Sequence, residues 1–377
     1  MTIACIVALM GSLAQAPADG SCLELVAKTL EAARADIGAM VTVAEKAARL
    51  LTNGGRLYAA GQPSLVSEIC GRAGGLMMIK PLAATAPDAG DVVLYTPEPG
   101  VELPEALRDT KAMVVVFGTP VTDHDWPAFA NHAVETHISP TLANAIPAWL
   151  FTGELVSALT RLGRMPVIYE TIGAYGGYAR MAQYKSGEIP FHDDRNVPPC
   201  PAGVLANSYV DAVTGMLHRI EKEERAKLDK AGAWVREARK SSRQLFMYSM
   251  GHLFPDEVGK TDIGKVFRSA GWNAGFRAPH PEDSYHEGDL AVHICYQHPT
   301  DALLRKARPA GARVVYVSLF ADRDFTKDDG VIWVDPMWNW SDACVPLEGY
   351  DVPLLPASGI VNGAIAWELY RLGMAPD

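Results

Sequence analysis

Three side chains of this 377-residue chain combine acid–base chemistry with positions where a ligand would meet them: Glu68, His252 and Glu257. A carboxylate near a histidine can take up a proton and return it, the core of general acid–base catalysis. Each follows a short apolar run that ends in glycine, residues 57–60 before Gly61 and residues 244–249 before Gly251. Around them stand groups suited to binding: Gly61 and Ser64 in the first turn, Gly251 in the second, Thr96 and Tyr296 after later apolar runs, and Ser358 at the mouth of the last helix. First-turn helix stabilisation would equally account for the glutamates, a surface hydrogen bond for His252, and helix capping for Ser358.

What must position these groups is a pair of strand–turn–helix runs. Residues 57–60 are short enough for a buried parallel strand, and Gly61 can take the backbone angles needed to leave it sharply. A helix starting just beyond such a strand turns unpaired N–H groups and the positive end of its dipole into the crevice at the sheet's carboxyl edge, a seat for phosphate. Residues 56–76 hold strand, turn and helix start in one run, and residues 244–257 repeat them. Further matches follow in the same order: Gly90-Asp91-Val92-Val93-Leu94 with Gly288-Asp289-Leu290-Ala291-Val292, Val114-Val115-Val116 with Val314-Val315-Tyr316, and Arg161-Leu162-Gly163 with Arg371-Leu372-Gly373. Their offset grows slowly, as duplication with small loop insertions would leave it.

The expected fold is therefore α/β, two tandem three-layer α/β/α units with mainly parallel sheets. In the first unit, residues 21–163, a long helix over 21–53 leads to strands at 57–60, 77–82 and 91–95, a helix at 103–113, a strand at 114–118 and a closing helix at 143–162. In the second, residues 204–377, a helix over 204–240 leads to a strand at 244–249, a helix at 256–269, strands near 274–277 and at 290–295, a helix at 300–308, strands at 313–319 and 331–334, and a closing helix at 354–373. Between them, residues 164–203 break every periodicity with glycine and proline yet are rich in Tyr, His and Arg, which suits an ordered irregular loop lying over a site.

With 49% apolar and 21% charged residues the chain is ordinary globular material, large enough for two cores. A net charge of −10 spread without a basic run argues against nucleic-acid partners, and an anionic small ligand would need local donors. Cys5, Cys22, Cys70, Cys200, Cys295 and Cys344 are scattered, with no C-x-x-C pair, so reduced buried thiols and no metal or cofactor are expected; the even count leaves disulfides open. His124, His132 and His137 fit no metal spacing and suit a surface loop. The turn Gly-Gln-Pro-Ser-Leu-Val lacks the dinucleotide glycine pattern, and no Gly-Lys-Ser/Thr loop occurs, which argues against a nucleotide. Residues 1–20 form an apolar N-terminal segment whose first sixteen residues resemble a signal peptide without a preceding basic residue, so a cytoplasmic protein is the expectation and export the alternative. No membrane span is expected from the remaining stretches.

These residues resemble the sugar isomerase (SIS) phosphosugar-binding domain family, here in tandem. The run Gly54-Gly55-Arg56-Leu57-Tyr58-Ala59-Ala60-Gly61, then Ser64, Glu68 and Arg72-Ala73-Gly74-Gly75-Leu76, is similar to the family's first crevice loop and helix, and Gly90–Tyr95 and Gly288–Cys295 to the strand leading into its Ser/Thr-rich phosphate loop. The resemblance implies a small-molecule partner, a sugar or sugar phosphate, and is compatible with a homo-oligomer. It implies an aldose–ketose isomerase using Glu68, or His252 with Glu257, to move a proton between adjacent carbons, with a non-catalytic sugar or sugar-phosphate sensor as the alternative. The chain departs from the family at the phosphate loops. Thr96-Pro97-Glu98-Pro99-Gly100 and Tyr296-Gln297-His298-Pro299-Thr300 stand there, where Glu98 repels phosphate and each proline removes an N–H donor.

Overall fold

The structure, a computed structural model, describes residues 20–132, 138–171, 177–190, 192–193, 195–249, 258–270, 284–295, 301–319 and 327–376. The run read as one helix over 21–53 is two: α1 (Cys22–Ala33), capped by Ser21, whose Oγ accepts the Leu23 N–H, and α2 (Ile37–Thr52), with a 3-10 turn at Arg34–Asp36 between them. Then come β1 (Leu57–Gly61), α3 (Pro63–Ile69), β2 (Lys80–Pro81), β3 (Val92–Thr96), α4 (Glu105–Arg108), β4 (Met113–Phe117), β5 (Ala128–Phe129) and α5 (Pro140–Arg161). The strands form one parallel sheet in the order β2-β1-β3-β4-β5. The strand expected over 77–82 shrinks to β2 because the Met77 N–H goes instead to the Val167 carbonyl at 3.0 Å.

The segment 164–203, expected as an irregular loop, carries regular elements among its described residues. It holds β6 (Met165–Pro166), the ten-residue α6 (Gly177–Ser186) and β7 (His192–Asp193), which pairs antiparallel with β6. Next come α7 (Val204–Arg219), a π-helical turn at Ile220–Glu224 and α8 (Arg225–Lys240). The remaining strands and helices are β8 (Leu245–Ser249), α9 (Ile263–Val266), β9 (Arg268–Ala270), β10 (Leu290–Ile294), α10 (Asp301–Ala307), β11 (Arg313–Val317), β12 (Val331–Val334), β13 (Ala343–Leu347), β14 (Tyr350–Pro356) and α11 (Ser358–Met374). The helix expected over 256–269 gives way at its end to β9, which joins β8 in parallel register, Phe246 opposite Arg268. The strand expected near 274–277 lies outside the described residues. The antiparallel hairpin β13–β14 was not foreseen, because Pro346, Pro353 and Pro356 argue against strands; Pro346 is exposed, where a missing N–H costs little.

The second sheet runs β12-β11-β10-β8-β9, parallel throughout, so each half places its first strand between the next two and steps outward from there. The halves also share a hydrogen-bond device. Buried Asp91 accepts the Arg56 N–H at 2.8 Å on one carboxylate oxygen and the Asp88 N–H at 2.8 Å on the other. Buried Asp289 does the same with the N–H groups of Gln244 (2.9 Å) and His286 (2.8 Å). Each aspartate thus fixes the entry to the central strand against its neighbour. Arginine-leucine-glycine, in contrast, plays different parts: Gly163 ends α5 with φ +70°, while Gly373 lies inside α11, where a Cβ would come within 2.3 Å of Val235 Cγ1.

Strand alternation splits each sheet into two faces. Leu57, Val92, Leu94 and Val115 of the first sheet and Met247, Val292, Val315 and Ile332 of the second belong to one continuous hydrophobic core, with α1, α2, α5, α7, α8 and α11 filling the space between. The outer faces carry smaller clusters, covered by Leu107 of α4 on the first and by Leu303, Leu304 and Ala307 of α10 on the second. Helix α5 is long and apolar enough to cross a membrane, but its apolar stretch is wholly buried in this core. The described cysteines, Cys22, Cys70, Cys200, Cys295 and Cys344, are free thiols.

Candidate functional site

The carboxyl edge of the first sheet is built by close backbone approach. Gly61 ends β1 with φ +98°, and a Cβ there would fall 1.8 Å from the Thr96 carbonyl oxygen, so both conformation and space require glycine. The Gln62 N–H donates to that same carbonyl at 3.0 Å, drawing the ends of β1 and β3 together. Gln62 and Thr96 are both buried, and the acceptors Gln62 Oε1 and Thr96 Oγ1 have no hydrogen-bond partner. Buried polar atoms are almost always paired, so two orphans side by side need an explanation. Ser64 is buried in the first turn of α3.

Alongside lies a cleft of about 600 Å³ lined by Ala60, Gly61, Ser67, Cys70, Leu82 and Glu105 among others. No lysine or arginine is among the described residues that line it, and Glu105 is their one carboxylate. Burial pushes the Cys70 thiol up to about 12, which keeps it neutral at ordinary pH.

Glu68 takes no part in this cleft. Its Oε1 accepts the Trp149 Nε1–H at 3.3 Å and its Oε2 accepts from Arg72 Nη1 at 3.2 Å. Arg72 in turn donates to Ser358 Oγ and pairs with Asp342 Oδ2 at 3.1 Å, and Asp342 Oδ1 caps α11 by accepting the Ser358 N–H at 3.0 Å. Glu68, Arg72, Asp342 and Ser358 are each no more than 2% exposed. A Cβ on Gly359 would stand 2.3 Å from Glu68 Oε1, so that glycine is what lets the carboxylate reach the start of α11. The structure therefore brings together Glu68 and Ser358, two candidates from opposite ends of the chain, through an arginine that joins the halves. Arg72 follows Glu68 by four residues but lies beyond the end of α3, with Cys70 extended between them, so no helical register marked the pair. Asp342 and Trp149 carried no local signal either.

The candidates Gly251, His252, Glu257 and Tyr296 lie outside the described residues. What is described of the second carboxyl edge mirrors the first. The N–H groups of Gly118 and Ser318 bond to the last strands' Phe129 and Val334 carbonyls at 2.8 and 3.4 Å. Asn144 in α5 accepts from Asn131 Nδ2 at 3.0 Å, and Asn362 in α11 accepts from Trp338 Nε1 at 3.1 Å. Of the loop histidines, His124 stacks on Trp126 at 4.0 Å, His132 Nε2 lies 2.6 Å from Asp36 Oδ2, and His137 is outside the described residues. Among the described residues no group of three or more His, Cys, Asp or Glu could hold a metal.

No protein-family model matches the sequence, and no curated protein matches it. Solved structures do. The chain is similar to the C-terminal domain of glucosamine-fructose-6-phosphate aminotransferase from Francisella tularensis, with 12% identity, TM-score 0.47, and coverage of 95% of this chain and 96% of that one. It is similar to a protein from Salmonella typhimurium described as sugar binding, at 10% identity, TM-score 0.48, and 94% and 99% coverage. A chain from Clostridium novyi described as a tagatose-6-phosphate ketose/aldose isomerase shares 10% identity, TM-score 0.45, over 93% and 88%. At such scores the likeness is one of chain path and carries no chemistry across.

Proposed function

We propose that the chain is a small-molecule binding protein of the SIS type, taking a sugar or sugar phosphate at the carboxyl edge of the first sheet. The observation that carries this reading is the cleft of about 600 Å³ at the end of β1, lined by Gly61 and Pro63; the orphaned buried acceptors Gln62 Oε1 and Thr96 Oγ1 adjoin Gly61 in chain and sheet register without lining the cleft themselves. A polyhydroxylated ligand offers O–H donors, the groups these acceptors lack. The absence of lysine and arginine among the described lining residues favours the sugar portion, not a phosphate, as the part held there. Binding is favoured over isomerisation through Glu68, because that carboxylate is sealed at 0% exposure and committed to Arg72 and Trp149. A base must reach the proton it moves.

The test is a thermal-shift panel of sugars, sugar phosphates and nucleotides on the wild type and Thr96→Val. A ligand that binds only the native state raises its melting temperature. Thr96→Val replaces an unpaired buried hydroxyl by a methyl, so the free protein should gain about 1 kcal/mol while the ligand loses about as much affinity. If no sugar or sugar phosphate shifts the wild type, the reading fails.

A further inference from the structure

A second cleft, of about 370 Å³, opens away from the sheet edges, between α6 and the β13–β14 hairpin. It is lined by Glu170, Arg180, Gln183, Arg195, Asp351 and Val352, and shares no lining residue with the cleft at Gly61. Its charged groups come from three separate stretches of chain and are held in place. Arg180 pairs with Glu170 at 3.3 Å and with Asp193 at 2.7 Å, and Tyr350 donates its hydroxyl to the same Asp193 oxygen. Arg195 pairs with Asp351 and lies over the Tyr350 ring, 5.1 Å from its centroid. Arg180 Nε is buried without a hydrogen-bond partner.

The sign pattern selects the ligand. A simple anion would meet two guanidinium groups but also the carboxylates of Glu170 and Asp351; a simple cation would meet the reverse. A molecule carrying both charges a few bonds apart matches both. Its carboxylate suits the planar fork of Arg195, and its ammonium suits the neighbouring carboxylates of Glu170 and Asp351. We infer that this cleft is a binding site for a small zwitterion of the free α-amino acid type. The size falls in the range of small-molecule sites, and convergent polar groups fixed by their own partners are what such a site requires. Such a site would give the described part of 164–203, with β6, α6 and β7, a use beyond connecting the two sheets.

The test uses the full chain in titration calorimetry and thermal shift against a panel of free α-amino acids, with acetate and methylamine as the two halves of the zwitterion. At least one amino acid should bind saturably and raise the melting temperature, while acetate and methylamine at the same concentration do not. Arg195→Gln, at an exposed pair whose loss costs little stability, should weaken that binding about tenfold or more. Asp351→Asn should weaken it as well, from the ammonium end. Sugar-induced shifts should be the same in both variants as in the wild type, which separates this site from the proposed sugar cleft. The inference is overturned if no amino acid binds, if acetate alone reproduces the shift, or if neither variant changes the affinity.

Discussion

Glu154 in α5 and Glu368 in α11 are both fully buried, and each grips the start of the other half's leading helix. Glu154 accepts the N–H groups of Gly203 and Ala206 at the start of α7, at 2.8 and 3.2 Å. Glu368 accepts the Cys22 N–H at the start of α1 at 2.8 Å. The task is the same, but the surroundings differ. Glu154 meets only backbone dipoles at contact distance, and burial raises its pKa against the pull of those N–H groups and the more distant Arg161. Glu368 is equally desolvated, yet Arg225 at 2.8 Å and Arg371 at 2.6 Å join the Cys22 N–H and bring its pKa below the ordinary value. The lesson is that backbone donors can hold a buried carboxylate in place, while paired cations are what keep it charged there.

The sharpest way to break the comparison is Glu368→Gln. It leaves Arg225 and Arg371 facing a neutral amide in a largely buried setting, and should cost about 3 kcal/mol in urea unfolding. Glu154→Gln strands one backbone N–H against an amide NH2 and should cost about 1 kcal/mol. A larger loss from Glu154→Gln than from Glu368→Gln would reverse the argument.

The two carboxylates should also respond oppositely to pH. Glu154, with its folded pKa above the ordinary 4.5, binds more protons in the native state, so its contribution is most favourable below 4.5 and is lost as pH rises through the raised value. Glu368, with its folded pKa lowered, contributes stability that is present above 4.5 and lost as pH falls toward the lowered value. Urea midpoints measured across the acid range should therefore show the Glu368→Gln deficit shrinking as pH falls. The Glu154→Gln deficit should grow over the same range. Parallel slopes for the two variants would remove the electrostatic distinction.

The smallest effect concerns the ends of α2 and α8. Both close with the same bond, Gly55 N–H to the Leu50 carbonyl at 3.0 Å and Arg243 N–H to the Ala238 carbonyl at 2.8 Å, with the preceding residue at positive φ. The first half uses Gly54 there; the second uses Ser242 at φ +52°. Ser242→Gly should thus stabilise by up to about 1 kcal/mol, and Gly54→Ser should destabilise by a similar amount. A destabilised Ser242→Gly would mean that the serine side chain contributes more than its backbone strain costs.

Much of this architecture was readable from residue patterns. Short apolar runs at 91–95 and 290–295 gave the central strands to within a residue, and the matched Gly-Asp pairs contained the aspartates, Asp91 and Asp289, that make the same hydrogen bonds in both halves. What escaped was set by distant partners. The isolated run 343–356 carries prolines that speak against strands, and only its antiparallel pairing makes them tolerable. Glu68 looked like a base because its place after the turn was legible, whereas its partner Trp149, and Asp342 on the far side of Arg72, lie far along the chain with no local mark. The matched Arg-Leu-Gly triplets were the reverse case, a likeness in letters with a cap in one half and a packing contact in the other.

The single core that runs from one sheet through the helices to the other has a thermodynamic consequence. Residues of both halves lose their apolar neighbours together, so the line between them in the chain marks no seam in free energy. A break in one half should then be felt by the whole, and calorimetry should show the two sheets melting in one transition, not two.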